Sequence, residues 1–254
     1  MKKTARRVHF LKTEHFHICT EWPESDDRFV TEKIEGLYTK LSEQFNIPAG
    51  KHIWAGRLFV FAFQHKESFG KFYKEASGRN VDVDKVGGFG GYQRQMSYII
   101  INAPNVQIRN PKERKDAFVS VMIHEATHTF VQQAHGRRHI PSWVNEGIAE
   151  SMADFYVPRS STRLKLDMAL KHLAQGKSLE LDKLFHPKQN IPLDAIYYGA
   201  SHGLVQMLVK IHPKKFMVFF KEIKSGKTDV EALKKVYNIS REELLRQLTR
   251  VARR

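Results

Sequence analysis

Val30, Ile34, Leu37, Leu41 and Phe45 recur at helical spacing through FVTEKIEGLYTKLSEQF and predict a helix there. HFHICTEW, just before it, reads as a short strand. RLFVFAF is apolar at successive positions, the pattern of a strand buried on both faces and therefore central in its sheet. ESFGKFYKEAS returns to helical patterning. The glycine-rich GRNVDVDKVGGFGGYQ breaks both periods and is expected to be a connection leading into SYIIIN, the next strand.

From Pro111 onward the pattern is helical. PKERKDAFVSVMIHEATHTFVQQAH forms one long amphipathic segment, with Pro111 near its start, where a missing N–H does no harm. After the loop GRRHIP, PSWVNEGIAESMADFYV predicts a second helix with Ser142 as its N-cap. Thr228 with Glu231, and Ser240 with Glu243, have the spacing of capping boxes at the starts of two late helices. The expected fold class is α+β, with a mixed N-terminal lobe holding a small sheet over residues 1–110. A helical C-terminal lobe over residues 111–254 completes it, and the two form one catalytic unit.

Composition narrows the function classes. With 254 residues and 41% hydrophobic content, the chain can bury a core without disulfides or metal staples. Its single cysteine, Cys19, cannot form an internal disulfide and is expected to be a buried structural thiol. No apolar run follows the basic MKKTARR start, so no signal peptide is expected: the protein is cytoplasmic, or exported with its leader removed. No membrane span is expected either, because the most apolar stretches are strand-sized. The formal net charge of +15 attracts phosphate and other polyanions. However, acids interleave with the bases through the last helices and no nucleic-acid reading motif accompanies them, so nucleic acid is not the expected partner. GGFGG is no dinucleotide fingerprint, since it leads into a strand and not a helix.

The chemistry lies in HEATH, residues 124–128. Histidines four apart project from one helix face, close enough to share one tetrahedral ion. Glu125 is about 100° around the helix from His124, placed to take a proton from activated water instead of ligating. Residues 129–145 then allow a second helix to turn back and present Glu146. His124, His128 and Glu146 would complete the three protein ligands of an open catalytic zinc site, one Zn2+ per chain. Trp143, Glu146, Gly147 and Glu150 share a face of that helix. Gly147 omits a side chain where two helices approach, and Glu150 is placed to accept the distal N–H of a ligand histidine.

HEATH followed by PSWVNEGIAE resembles the gluzincin clan of zinc metallopeptidases, especially the peptidase-MA-like families and related uncharacterised bacterial families. WVNEGIA is also similar to the WLNEGFA segment of M1 aminopeptidases. There the spacer is one residue longer, and no GAMEN-like motif occurs in this chain. YYGASHGLVQML, residues 197–208, resembles the Y-x-x-S-x-x-L-v segment of the same peptidase-MA-like families. The resemblance covers roughly residues 112–254. It implies a zincin-like fold, SYIIIN as the substrate-binding edge strand, and Tyr198 as the donor to the oxyanion, with His202 as the alternative one turn on. Read from the residues alone, SYIIIN is equally an ordinary buried strand and Tyr198 equally a core aromatic.

The expected function is a zinc-dependent peptidase, with a peptide or protein as substrate. The alternative is a basic binding or scaffold protein for polyanions or nucleic acid, with a structural or vestigial zinc site. Hydrolysis of a bond other than a peptide is a third reading.

Overall fold

The computed structural model describes residues 7–254 except 79, 94, 105–106, 159 and 187–193. The fold is α+β, with a five-stranded mixed sheet toward the N-terminus and helices toward the C-terminus. It divides into two compact units, Met1–Phe130 and Val131–Arg254.

In the first unit the strands are β1 (His9–Lys12), β2 (Phe16–Thr20), β3 (Leu58–Ala62), β4 (Gly88–Gln93) and β5 (Met96–Ile101), in the order β1-β2-β3-β5-β4. β2, β3 and β5 run parallel, while the outer strands β1 and β4 pair antiparallel to β2 and β5. Parallel neighbours need long crossovers. Helices α1 (Asp27–Gln44) and α2 (Lys66–Ser77) lie in these connections. β3 is central, as its unbroken apolar run implies. Its Leu58, Val60 and Ala62 are buried, whereas Phe59 and Phe61 are only half-buried.

The core of this unit gathers on one sheet face. Phe16, Ile18, Leu58, Val60 and Ile99 are essentially inaccessible, as are Ile34, Leu37 and Leu41 of α1. Trp54 and Tyr38 meet Phe130 with ring centroids 6.0 and 5.5 Å apart, and Trp22 meets Phe118 at 4.3 Å. Both phenylalanines belong to α3 (Pro111–Gln133). On the other face, Phe61 packs on Phe72 and Phe89 on Tyr73 of α2. These α3 contacts explain why the units divide at Phe130 and not after residue 110, where the chain changes character. Helix α3 as far as Phe130 belongs with the sheet-bearing unit.

Two expectations about the sheet are corrected. Residues 88–93, expected to belong to a connection, form edge strand β4, and SYIIIN lies inside the sheet between β3 and β4. Glycines give no apolar alternation to read. Their pairing comes from the ladder with β5, which holds Gly88 opposite Ile101 and Gly90 opposite Ile99. Strand β1 was not anticipated. Cys19 is half-buried instead of buried, and burial still pushes its thiol pKa up.

The second unit contains α4 (Ser142–Tyr156), α5 (Ser161–Ala174), α6 (Leu181–Phe185), α7 (Ala195–Ile211), α8 (Pro213–Lys224), α9 (Asp229–Tyr237) and α10 (Arg241–Ala252). Helix α7 packs extensively on both α4 and α5. The N-cap of α4 is Pro141, not Ser142, which is already helical. Thr228 and Glu231 form the reciprocal capping box expected of them. At α10 only half of it forms: Ser240 accepts from the Glu243 N–H, while the Glu243 carboxylate turns to Arg246. Among the described residues, no helix is long and apolar enough to cross a membrane.

Candidate metal centre

From Phe118 to Val131, helix α3 is buried nearly all round. Between Phe118 and Val131, only Val121, His124, Glu125 and His128 retain partial exposure. Those four positions follow i, i+3, i+4, i+7 spacing and make one stripe. HEATH therefore supplies most of the only accessible line on this stretch of helix. Ala126 and Thr127 face inward, with the Thr127 hydroxyl donating to the Ile123 carbonyl at 2.7 Å.

The two histidine rings stand perpendicular, with centroids 4.5 Å apart and Nε2 atoms 3.0 Å apart. His124, His128 and Glu146 each offer one ligand atom, and these atoms lie within 4.8 Å of one another. Among the described residues, no other group of His, Cys, Asp and Glu is so placed. Two imidazole nitrogens and a carboxylate oxygen are the donor set of catalytic zinc sites. Nitrogens bound tetrahedrally at about 2.0–2.1 Å would be roughly 3.3 Å apart, close to the spacing here. The residues fit such an ion.

Glu125 lies against edge strand β4. A Cβ added to Gly88 would stand 3.1 Å from the Glu125 Cγ, and one added to Gly90 would stand 2.9 Å from Thr129 Cγ2. The glycines let the strand lie directly over this part of α3. SYIIIN, expected at the edge, instead supplies the inner partner on which β4 hangs.

Glu146 projects from a firmly held helix. Trp143 is fully buried and donates from its indole N–H to Asp229 at 2.7 Å, and Asp229 also accepts from Arg241. Gly147 allows the close approach expected of it, since a Cβ there would fall 2.4 Å from the Ser201 carbonyl oxygen of α7. Glu150 is completely buried and accepts from the Lys165 ammonium at 2.6 Å. That same ammonium lies 4.6 Å from the centre of the Tyr198 ring. Nothing in the spacing of the sequence marked Lys165, because its partners lie on two other helices.

Tyr198 and His202 share α7, whose first turn is set by Asp194 accepting from the Ile196 and Tyr197 N–H groups. Tyr198 is half-buried. His202 has no exposed surface, and its two ring nitrogens find no hydrogen-bond partner among the described residues. Its Nε2 is 3.9 Å from Asp154 Oδ2. Burial pulls the His202 pKa below its ordinary value; Asp154 and Glu150 oppose that shift, and Arg163 and Lys165 add to it. A ring so enclosed is not presented to a substrate, which leaves Tyr198 as the more accessible of the two oxyanion candidates. No family model matches the chain, and no curated protein matches it.

Proposed function

We propose that this protein is a zinc-dependent hydrolase of the gluzincin type, acting on peptide bonds. The observation that carries the reading is the convergence of the His124, His128 and Glu146 ligand atoms within 4.8 Å, with both histidines on the one accessible stripe of α3 between Phe118 and Val131. A zinc ion held by such donors supplies Lewis acidity and lowers the pKa of water. Glu125, adjacent on the stripe, accepts the proton of the attacking water and returns it to the leaving amine. Tyr198 donates to the oxyanion that develops on the substrate carbonyl. Edge strand β4 supports a peptide as substrate, because an exposed edge offers backbone groups to an extended chain. This role, expected of SYIIIN, passes to Gly88–Gln93.

Elemental analysis of the purified protein, paired with cleavage of a quenched-fluorescent peptide library, tests the reading. One zinc per chain should be present, and His128→Ala should lose it. Glu125→Gln should keep the metal and abolish cleavage. Unchanged cleavage in Glu125→Gln, or failure of the wild type to take up zinc, would overturn the assignment.

A further inference from the structure

Residues 131–254 contain 22 Lys and Arg against 12 Asp and Glu, and over much of that span the two signs meet. Lys183 pairs with Glu180, Lys227 and Lys235 converge on Glu222, Arg241 reaches Asp229, and Arg246 reaches Glu243. Residues 195–221 break this habit: they include no Asp or Glu. Lys210, His212, Lys214, Lys215 and Lys221 are all exposed there. Among the described residues, none of these four lysines has an acidic partner.

Helix α8 organises the patch. Phe216, Met217, Phe219, Phe220 and Ile223 are buried. Phe219 is wedged between Trp143 and Tyr237, at 6.1 Å from each. This anchors one side of the helix and fixes what the other presents. Lys214, Val218 and Lys221 fall within an arc of about 60° on that outward side, with Lys215 beside them. Glu222 falls between Val218 and Lys215 on the same side, where Lys227 and Lys235 engage its carboxylate. Val218 is 48% exposed and Ile211, at the end of α7, 57% exposed, so aliphatic side chains stand among the lysines.

We propose that this α7–α8 corner docks on an anionic lipid bilayer, with the lysines meeting headgroup phosphates and Ile211 and Val218 entering the interface. The charge is complementary to such a surface, and juxtaposed aliphatics gain from a bilayer's acyl boundary. Nucleic acid would use the lysines but not the aliphatics, and among the described residues no exposed Phe, Tyr or Trp in the corner offers a base a broad stacking platform. The contact is peripheral, consistent with the absence of a crossing helix among the described residues.

Co-sedimentation of the full chain with vesicles tests this. Binding should be strong to vesicles containing phosphatidylglycerol, absent with phosphatidylcholine alone, and lost as salt is raised. Each lysine near an anionic surface contributes roughly a fivefold gain, so Lys214→Gln with Lys215→Gln should weaken binding about thirtyfold. Lys171→Gln with Lys177→Gln removes the same charge from exposed positions elsewhere and should change it less than about threefold. Ile211→Ser with Val218→Ser should weaken vesicle binding while leaving retention on a duplex DNA column unchanged. Equal losses in the two lysine pairs would reduce the effect to net charge and overturn the proposal. Undiminished binding in the Ile211/Val218 pair, or tighter binding to duplex DNA than to anionic vesicles, would also overturn it.

Discussion

Both units bring elements together by omitting a side chain, but what meets the gap differs. In the sheet-bearing unit, Cβ atoms at Gly88 and Gly90 would press on Glu125 Cγ at 3.1 Å and Thr129 Cγ2 at 2.9 Å, with the Ile100 carbonyl 3.0 Å from the former. These neighbours are mostly side chains, which can turn aside. In the helical unit, a Cβ at Gly199 would lie 2.0 Å from the Lys165 carbonyl oxygen, and one at Gly147 would lie 2.4 Å from that of Ser201. These neighbours are backbone within other helices and have nowhere to go. The helical packing is therefore rigid around Glu146, Glu150 and Tyr198, while the strand over Glu125 tolerates adjustment at the expense of the residue beneath it.

Gly199→Ala should show the largest effect. Alanine gains about 1 kcal/mol over glycine within a helix, yet overpacking against backbone costs more, for a net loss of about 2–3 kcal/mol. Urea denaturation checks this, and a variant as stable as wild type would mean that α5 and α7 do not touch at Lys165. Gly88→Ala should reverse the balance. Stability should fall by less than about 1 kcal/mol, whereas peptide cleavage should drop about tenfold with zinc content unchanged, because small displacements of a reacting group are expensive. Equal cleavage rates in Gly88→Ala and wild type would separate Glu125 from the strand above it.

The smallest effect belongs to His202, buried against α4. Its folded pKa lies below the unfolded value near 6.5, so below that pH the unfolded chain binds the proton more readily. Stability should fall as pH drops through 6.5 toward the folded pKa. His202→Gln should flatten that part of the curve, measured as denaturation midpoints across mildly acidic pH. An identical pH dependence in the two proteins would mean that the ring is not enclosed.

Much of the fold was legible in short stretches. The Val30–Ile34–Leu37–Leu41 spacing marked α1, the apolar run marked β3 as central, and Thr228 with Glu231 marked the start of α9. Each signal is complete within a few residues. Ser142 misled because a proline beside it took the cap position, and the N-terminal strand β1 lacked a run long enough to read. GGFGGYQ misled because its strand character resides in its partner β5.

For the candidate centre, sequence alone determined that His124 and His128 share a helix face with Glu125 beside them, since helix geometry is local and repeats every turn. It also named Glu146 through the segment that follows. Tertiary structure decided which face of α3 stays accessible, which strand lies over Glu125, that Lys165 is the ammonium reaching Glu150, and that His202 is enclosed while Tyr198 is not. These depend on which elements pack together, and no periodicity records a partner dozens of residues away.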